Sequence, residues 1–156
     1  MLKAYQAHVA ERAEIKLPPL PLNAEQVASL VELLKNPLKE DEALIMDLVE
    51  NQTPAGVDQA AYVKAAFLAD IAKGTATSPL ISPDKAVQLL GTMLGGYNVQ
   101  ALVELLTTPM AAHAVTALSQ TILMFDAFHD VDVLMKAGNP HAKKLGILGK
   151  CRMVYQ

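Results

Sequence analysis

Asp126, His129, Asp130 and Asp132 have the spacing that chemistry would use. Positions three and four apart share a helix face, so this group could offer one imidazole and two carboxylates to a divalent metal. A plainer reading accounts for the same residues and is preferred. Asp130 and Asp132 stand where a helix cap and first turn favour acids, and His129 sits at a helix end. His8, His113 and His141 fall in separate segments with no partner at ligand spacing, and read as surface or packed histidines. Gly91, Gly95 and Gly96 do not make a phosphate loop, because no strand precedes them and neither the GxGxxG nor the GxxxxGK(S/T) spacing occurs. No GxSxG nucleophile elbow is present. Met46, Met93, Met110, Met124 and Met135 fall mostly at apolar helical positions suited to core filling. No catalytic, cofactor-binding or metal-ligating residue is assigned on these grounds, and the residues point to an interaction module.

Composition narrows the classes further. A chain of 156 residues is of single-domain size and can hide about 70% of its unfolded surface. Apolar residues make up 52%, yet with four tyrosines, three phenylalanines and no tryptophan the core must be aliphatic, which favours helices packed on helices. The net charge of −3 supplies no basic footprint for a phosphate backbone. With the single cysteine Cys151, the chain can form no internal disulfide and cannot assemble a thiolate metal site or an iron–sulfur cluster by itself. That usage fits a reducing, cytoplasmic setting. The N-terminal MLKAYQAHVAERAEI scatters charges where a secretion signal or anchor needs an apolar run. No later segment approaches the roughly 18 uninterrupted apolar residues of a membrane helix, so a soluble protein with no membrane partner is expected.

The elements that must position these residues all read as helices. The central unit is Ala86 to Leu106, where Ala86, Val87, Leu90, Met93 and Leu94 share one face, and Val99, Leu102, Val103 and Leu106 another. Gly95 and Gly96 can take the left-handed conformation between them, and the side-chain oxygen of Asn98 can cap the second helix. Upstream, Leu2 to Glu14 forms a helix that the proline connector Leu17 to Leu22 ends. That connector could be a ligand for a proline-recognising module, but an internal spacer is preferred. Asn23 and Gln26 have capping-box spacing before the stripe Val27, Leu30, Val31, Leu34. A third helix begins near Glu40 with Leu44, Ile45, Leu48 and Val49 inward. A fourth, Asp58 to Lys73, groups Tyr62, Ala65, Ala66 and Ala69 on one side and is expected to be the most buried. Ser82-Pro83 and Thr108-Pro109 repeat a start signal. The second of these opens a stripe from Ala111 through Ala114, Val115, Leu118 and Ile122 to Phe125. Asp130 can cap a short helix to Lys136, Gly138 ends it, and Asn139-Pro140 starts another. The final LGILGKCRMVYQ shows no helical stripe.

The fold class expected is all-α, built as stacked antiparallel helix pairs in a HEAT-like α-solenoid fragment, with a closed helical bundle as the alternative. Residues 1–144 form the helical domain and residues 145–156 a divergent C-terminal tail.

Several segments carry more than periodicity: HVAERA at His8, SLVELLKNP at Ser29, GVDQAAYVKAAFLADIAKG at Gly56, SPLISPDKAVQLLGTMLGGYN at Ser78 and TILMFDAFHDV at Thr121. Nearly collinear, and including the irregular turns, they resemble the N-terminal HEAT-like domain of the aconitase B family, the bacterial aconitate hydratases 2, from Met1 to about Lys144. The resemblance implies a full-length enzyme that interconverts citrate and isocitrate through cis-aconitate in the tricarboxylic acid cycle, with a [4Fe-4S] cluster as Lewis acid. Its cluster cysteines and catalytic residues lie in domains beyond residue 156, so none transfers to a position here. For the N-terminal domain the resemblance implies a protein-interaction element beside the active-site entrance that helps shape a substrate tunnel. It also implies links to iron-dependent dimerisation and to regulatory binding of mRNA. Where the family's chain continues toward its next domain, this one reads LGILGKCRMVYQ, as a truncated gene product, a frameshifted end or a divergent paralogue would.

The expected function is therefore a non-catalytic interaction domain that recognises a protein partner, or a second copy of itself, through a helical face. The alternatives are a regulatory RNA-binding module and an iron-responsive dimerisation module. RNA binding gains weight only if folding gathers Lys3, Arg12, Lys16, Lys143, Lys144, Lys150 and Arg152 on one face. A stand-alone hydratase would require a pocket that gathers Asp126, His129 and Asp130 with a metal.

Overall fold

The computed structural model describes residues 1–121 and 127–153, with side chains described through residue 146. Among the described residues there are nine α-helices and no strand, and the expected all-α class is the one adopted. The helices are α1 (Leu2–Glu14), α2 (Ala24–Lys35), α3 (Glu42–Asp47), α4 (Gln59–Lys73), α5 (Pro83–Gly91), α6 (Val99–Glu104), α7 (Ala111–Gln120), α8 (Phe128–Lys136) and α9 (Pro140–Met153). A π-helical turn, Leu48–Gln52, extends α3, and a 3₁₀ turn, Leu105–Thr107, extends α6.

Side-chain caps set the starts of α2, α4, α5 and α9. Asn23 Oδ1 accepts from the Gln26 amide while Gln26 Oε1 accepts from the Asn23 amide, both at 2.9 Å, completing the capping box. Asp58 accepts from the amides of Ala60 and Ala61, the Ser82 hydroxyl from that of Lys85, and Asn139 from those of His141 and Ala142. Each such cap contributes about 1 kcal/mol. Gly74 (φ 78°) and Gly138 (φ 90°) close α4 and α8 in the left-handed conformation that lacks a steric cost only for glycine.

The helices pack as consecutive pairs, α2 with α3, α4 with α5, α6 with α7 and α8 with α9. Neighbouring pairs join through α2 on α4, α5 on α7 and α7 on α9. Leu30, Leu34, Ile45, Leu48, Leu68, Leu90, Leu102 and Leu105 are completely buried along this row, and each contributes roughly 1.5–3 kcal/mol. As expected, α4 is the most buried helix; its small residues Ala60, Ala61, Ala65 and Ala72 admit close neighbours. A Cβ on Gly91 would stand 2.9 Å from that of Ala117, so glycine sets the approach of α5 to α7.

The structure departs from the periodicity at five places. The third helix starts at Glu42 and ends in the π-helical turn, where the Thr53 hydroxyl donates to Leu48 O; Ile45, Leu48 and Val49 point inward, but Leu44 is only half-buried. The stripe expected from Ala111 to Phe125 is a helix of 10 residues, because Thr121 turns extended at ψ 131°. Ile122 and Phe125 lie outside the described residues. Thr108 accepts from the Met110 amide, so α7 begins at Ala111, two residues after Pro109. Asp130 sits in the first turn of α8 and not at its cap, since the helix starts at Phe128. Finally, α9 runs without interruption past residues 144 and 145 to Met153, although that sequence has no apolar stripe.

Lys64 lies on the buried side of α4, only 3% exposed. Burial draws its ammonium below the ordinary lysine value of 10.5, and the nearby Glu50 carboxylate partly offsets this. The folded chain therefore binds fewer protons than the unfolded chain from that lowered value up to 10.5, so this residue's penalty fades as pH rises through that window. Lys64→Met is expected to stabilise the protein by about 1 kcal/mol at pH 7. In paired urea titrations its advantage over the parent should shrink as pH approaches 10.5. A constant advantage across that range would mean packing, not charge burial, is responsible.

Candidate interaction surface

The loop before α4 and the turn between α5 and α6 meet and present Val57, Tyr62, Leu94 and Tyr97 to solvent. These residues are 71%, 54%, 57% and 36% exposed. The amides of Leu94 and Gly95 both donate to Ala55 O, at 2.8 and 3.2 Å. The Tyr97 hydroxyl donates to Val57 O at 2.8 Å, and the Tyr62 and Tyr97 rings stand edge to face with centroids 5.4 Å apart. Gly95 lies so close to the Gly56 carbonyl that no side chain fits, and Gly96 (φ 88°) turns the chain toward α6. Beneath them Asn98 is fully buried, and its Nδ2 donates to Leu90 O at 2.7 Å and to Met93 O at 3.3 Å.

This architecture corrects four expectations. Leu94 does not share the inward face of α5, because that helix ends at Gly91 and Leu94 emerges beyond it. Tyr62 faces outward while Ala65 and Ala69 on the same helix are buried. Asn98 does not cap α6; it staples the end of α5 through its amide nitrogen, and its Oδ1 has no partner. Of the two glycines only Gly96 is left-handed, and Gly95 is required by the close approach. Two aliphatic side chains and two phenol rings thus share one solvent-facing patch.

The residues weighed for chemistry are dispersed. Asp126 lies outside the described residues. On α8, His129 is exposed, Asp130 half-buried, and Asp132 is paired with Lys136 at 2.6 Å. Among the described residues no three His, Cys, Asp or Glu side chains stand where they could hold a metal. His8 accepts from the Leu20 amide. His113 stands 3.6 Å from Asp84 on the rim of a groove of about 530 Å³ between α5 and α7, which Val87, Gly91 and Ala117 also line. His141 begins α9. A [4Fe-4S] cluster requires three or four thiolates, and a chain with Cys151 alone does not fit it.

The basic residues are not gathered either. Lys3 and Arg12 lie on α1 and Lys16 just beyond it. This end of the molecule is tied to the π-helical turn through Leu22, whose amide donates to Gln52 O at 2.8 Å. Lys143 and Lys144 lie on α9 at the far end of the row, packed with α7 and α8; the side chains of Lys150 and Arg152 lie outside the described residues. Among the described residues no helix is long and apolar enough to cross a membrane.

Sequence reasoning missed the exposed patch. A signal was present: two glycine-bearing turns, GVD and LGGYN, each carry a large apolar residue and precede or contain a tyrosine.

Comparison with known proteins places this chain in a family. The model of the Aconitate B N-terminal domain matches residues 4–147. Aconitate hydratase B of Escherichia coli (strain K12) is 56% identical over 146 residues, covering 93% of this chain and 17% of that protein. That of Pseudomonas aeruginosa is 57% identical with the same coverage, and that of Helicobacter pylori (strain J99) is 39% identical over 148 residues, covering 92% of this chain. The chain spans about 17% of the length of these relatives. From residue 4 to residue 147, at more than half identity to several members, the chain belongs to the aconitase B N-terminal domain family.

Proposed function

We propose that this chain is a non-catalytic interaction domain, a HEAT-like α-solenoid fragment that docks the catalytic portion of an aconitase B enzyme through Val57, Tyr62, Leu94 and Tyr97. The observation that carries this reading is the exposed patch, which loop-to-loop hydrogen bonds within the chain hold together. Pre-organised aromatic residues lose little entropy on binding and are enriched among residues that dominate interface energies. The occupant is argued from length: the matching region is 17% of each relative, so most of an aconitase B chain lies outside it and adjoins this domain. The HEAT-like reading rests on the row of helix pairs, each packed on its neighbours in sequence. Hydration of aconitate is then the work of the remainder of the enzyme, and the cytoplasm the compartment where the two meet.

Hydrogen exchange tests the assignment. Escherichia coli aconitate hydratase B lacking its matching N-terminal region, checked as folded by circular dichroism, is added to this chain. Amides from Val57 to Tyr62 and from Leu94 to Tyr97 should exchange more slowly in the mixture. Protection confined to α1 or α9, or none at all, would remove the patch as the docking face.

A further inference from the structure

We propose that His8 is a pH-sensitive latch holding the proline connector against α1. The connector follows α1 after Lys16, which takes a left-handed φ of 57° that non-glycine residues adopt reluctantly, so its path is held by contacts. Pro18, Pro19 and Pro21 have no amide hydrogen. The chain from 18 to 22 therefore has two backbone donors, Leu20 and Leu22. Three hydrogen bonds pin it. Arg12 Nε donates to Pro18 O at 2.9 Å, the Leu20 amide donates to His8 Nε2 at 3.0 Å, and the Leu22 amide donates to Gln52 O at 2.8 Å.

Of these three pins only the middle one has an ionisable acceptor. A ring nitrogen accepts a hydrogen bond only while it carries no proton, so the bond at Leu20 exists with neutral His8 alone. Histidine is the side chain whose charge ordinarily changes between about pH 5 and 8. When His8 takes a second proton, Nε2 becomes a donor facing the Leu20 N–H, and the two must separate. Leu20 is already 54% exposed, so its departure exposes little further apolar surface. Pro18 and Leu22 remain held, and the movement is a lift of the segment between them.

The titratable groups facing His8 are few. On α1 they are Tyr5, whose ring centroid is 6.4 Å away, and Glu11 and Arg12, one turn ahead; Arg12 is occupied with Pro18. Lys16 stands at the end of α1, and the connector Leu17 to Leu22 contains no ionisable side chain. From α3, Asp47 acts on Tyr5, whose phenol burial first and that carboxylate second push up. Tyr5 stays buried and Leu2 and Val9 partly so, which keeps α1 in place when the latch opens.

Amide exchange and chemical shift of Leu20, followed by NMR from pH 8 to pH 5 and corrected for intrinsic rates, provide the test. Protection of Leu20 should fall about fivefold as His8 protonates, while Leu22 keeps its own. His8→Gln, which retains an acceptor at every pH, should hold Leu20 protected throughout. His8→Phe, with a ring but no acceptor, should leave it unprotected throughout. A parent chain whose Leu20 protection does not change with pH, or a pH response that persists in His8→Gln, would overturn the latch.

Discussion

Gly95→Ala is expected to lower the melting temperature by about 6–12 °C, from a loss of about 3 kcal/mol. A Cβ built on Gly95 stands 1.9 Å from Gly56 O and 2.8 Å from the Val57 amide nitrogen. Both neighbours are backbone, so no rotamer change relieves the clash, and the two loops must part. Their separation breaks the bonds from Leu94 and Gly95 to Ala55 O and from Tyr97 to Val57 O, which together hold the apolar surface. Gly56→Ala is the control. A Cβ there meets nothing within 4 Å and its φ is not positive, so it should shift stability by no more than about 0.5 kcal/mol. Thermal unfolding followed by circular dichroism reads both. Equal melting temperatures for the two variants would mean that the loops are not joined as described.

The second large effect is on binding. Replacing both Tyr62 and Tyr97 by Ser should weaken association with the remainder of an aconitase B enzyme about a hundredfold, the loss typical of two central aromatic anchors. Stability should change far less, because Tyr62 is more than half exposed and Tyr97 more than a third. Tyr97→Phe separates the two contributions of that residue. It keeps the ring against Tyr62 and removes only the donor to Val57 O, so its effect should be a few fold, about 1 kcal/mol or less.

Much of the fold was legible because it is local chemistry. Asn23 with Gln26, Ser82 with Pro83, Lys73 with Gly74 and Asn139 with Pro140 each announced a helix end that the structure realises. The stripes of α2 and α5 followed from apolar spacing alone. The exposed patch was not legible, for a physical reason. Periodicity groups residues on a side but does not say where a helix stops, and Leu94 belongs to the face of α5 only if that helix continues past Gly91. Tyr62 was grouped with Ala65 and Ala69, which are buried, and with Ala66, which like Tyr62 is exposed; the tyrosine ring leans outward onto Tyr97, a contact between segments 35 positions apart in the chain. Asn98 has an amide that can accept or donate. Which it does depends on the carbonyls of Leu90 and Met93, at and just beyond the end of α5, that the fold brings to its amide nitrogen, and this is a tertiary fact. The same limit hid Lys64, a charged residue in a helix otherwise read as small and apolar.

The central claim is that Val57, Tyr62, Leu94 and Tyr97 dock the catalytic portion of an aconitase B enzyme. Sedimentation velocity of the fluorescently labelled chain tests it most directly. The chain is titrated with the folded Escherichia coli enzyme lacking its matching region, and the Tyr62→Ser/Tyr97→Ser variant is run beside it. The account predicts that the parent chain moves into a one-to-one complex and that the variant stays at the monomer's coefficient over the same range. Complexes of equal strength with both chains, or no complex with the parent, would contradict it.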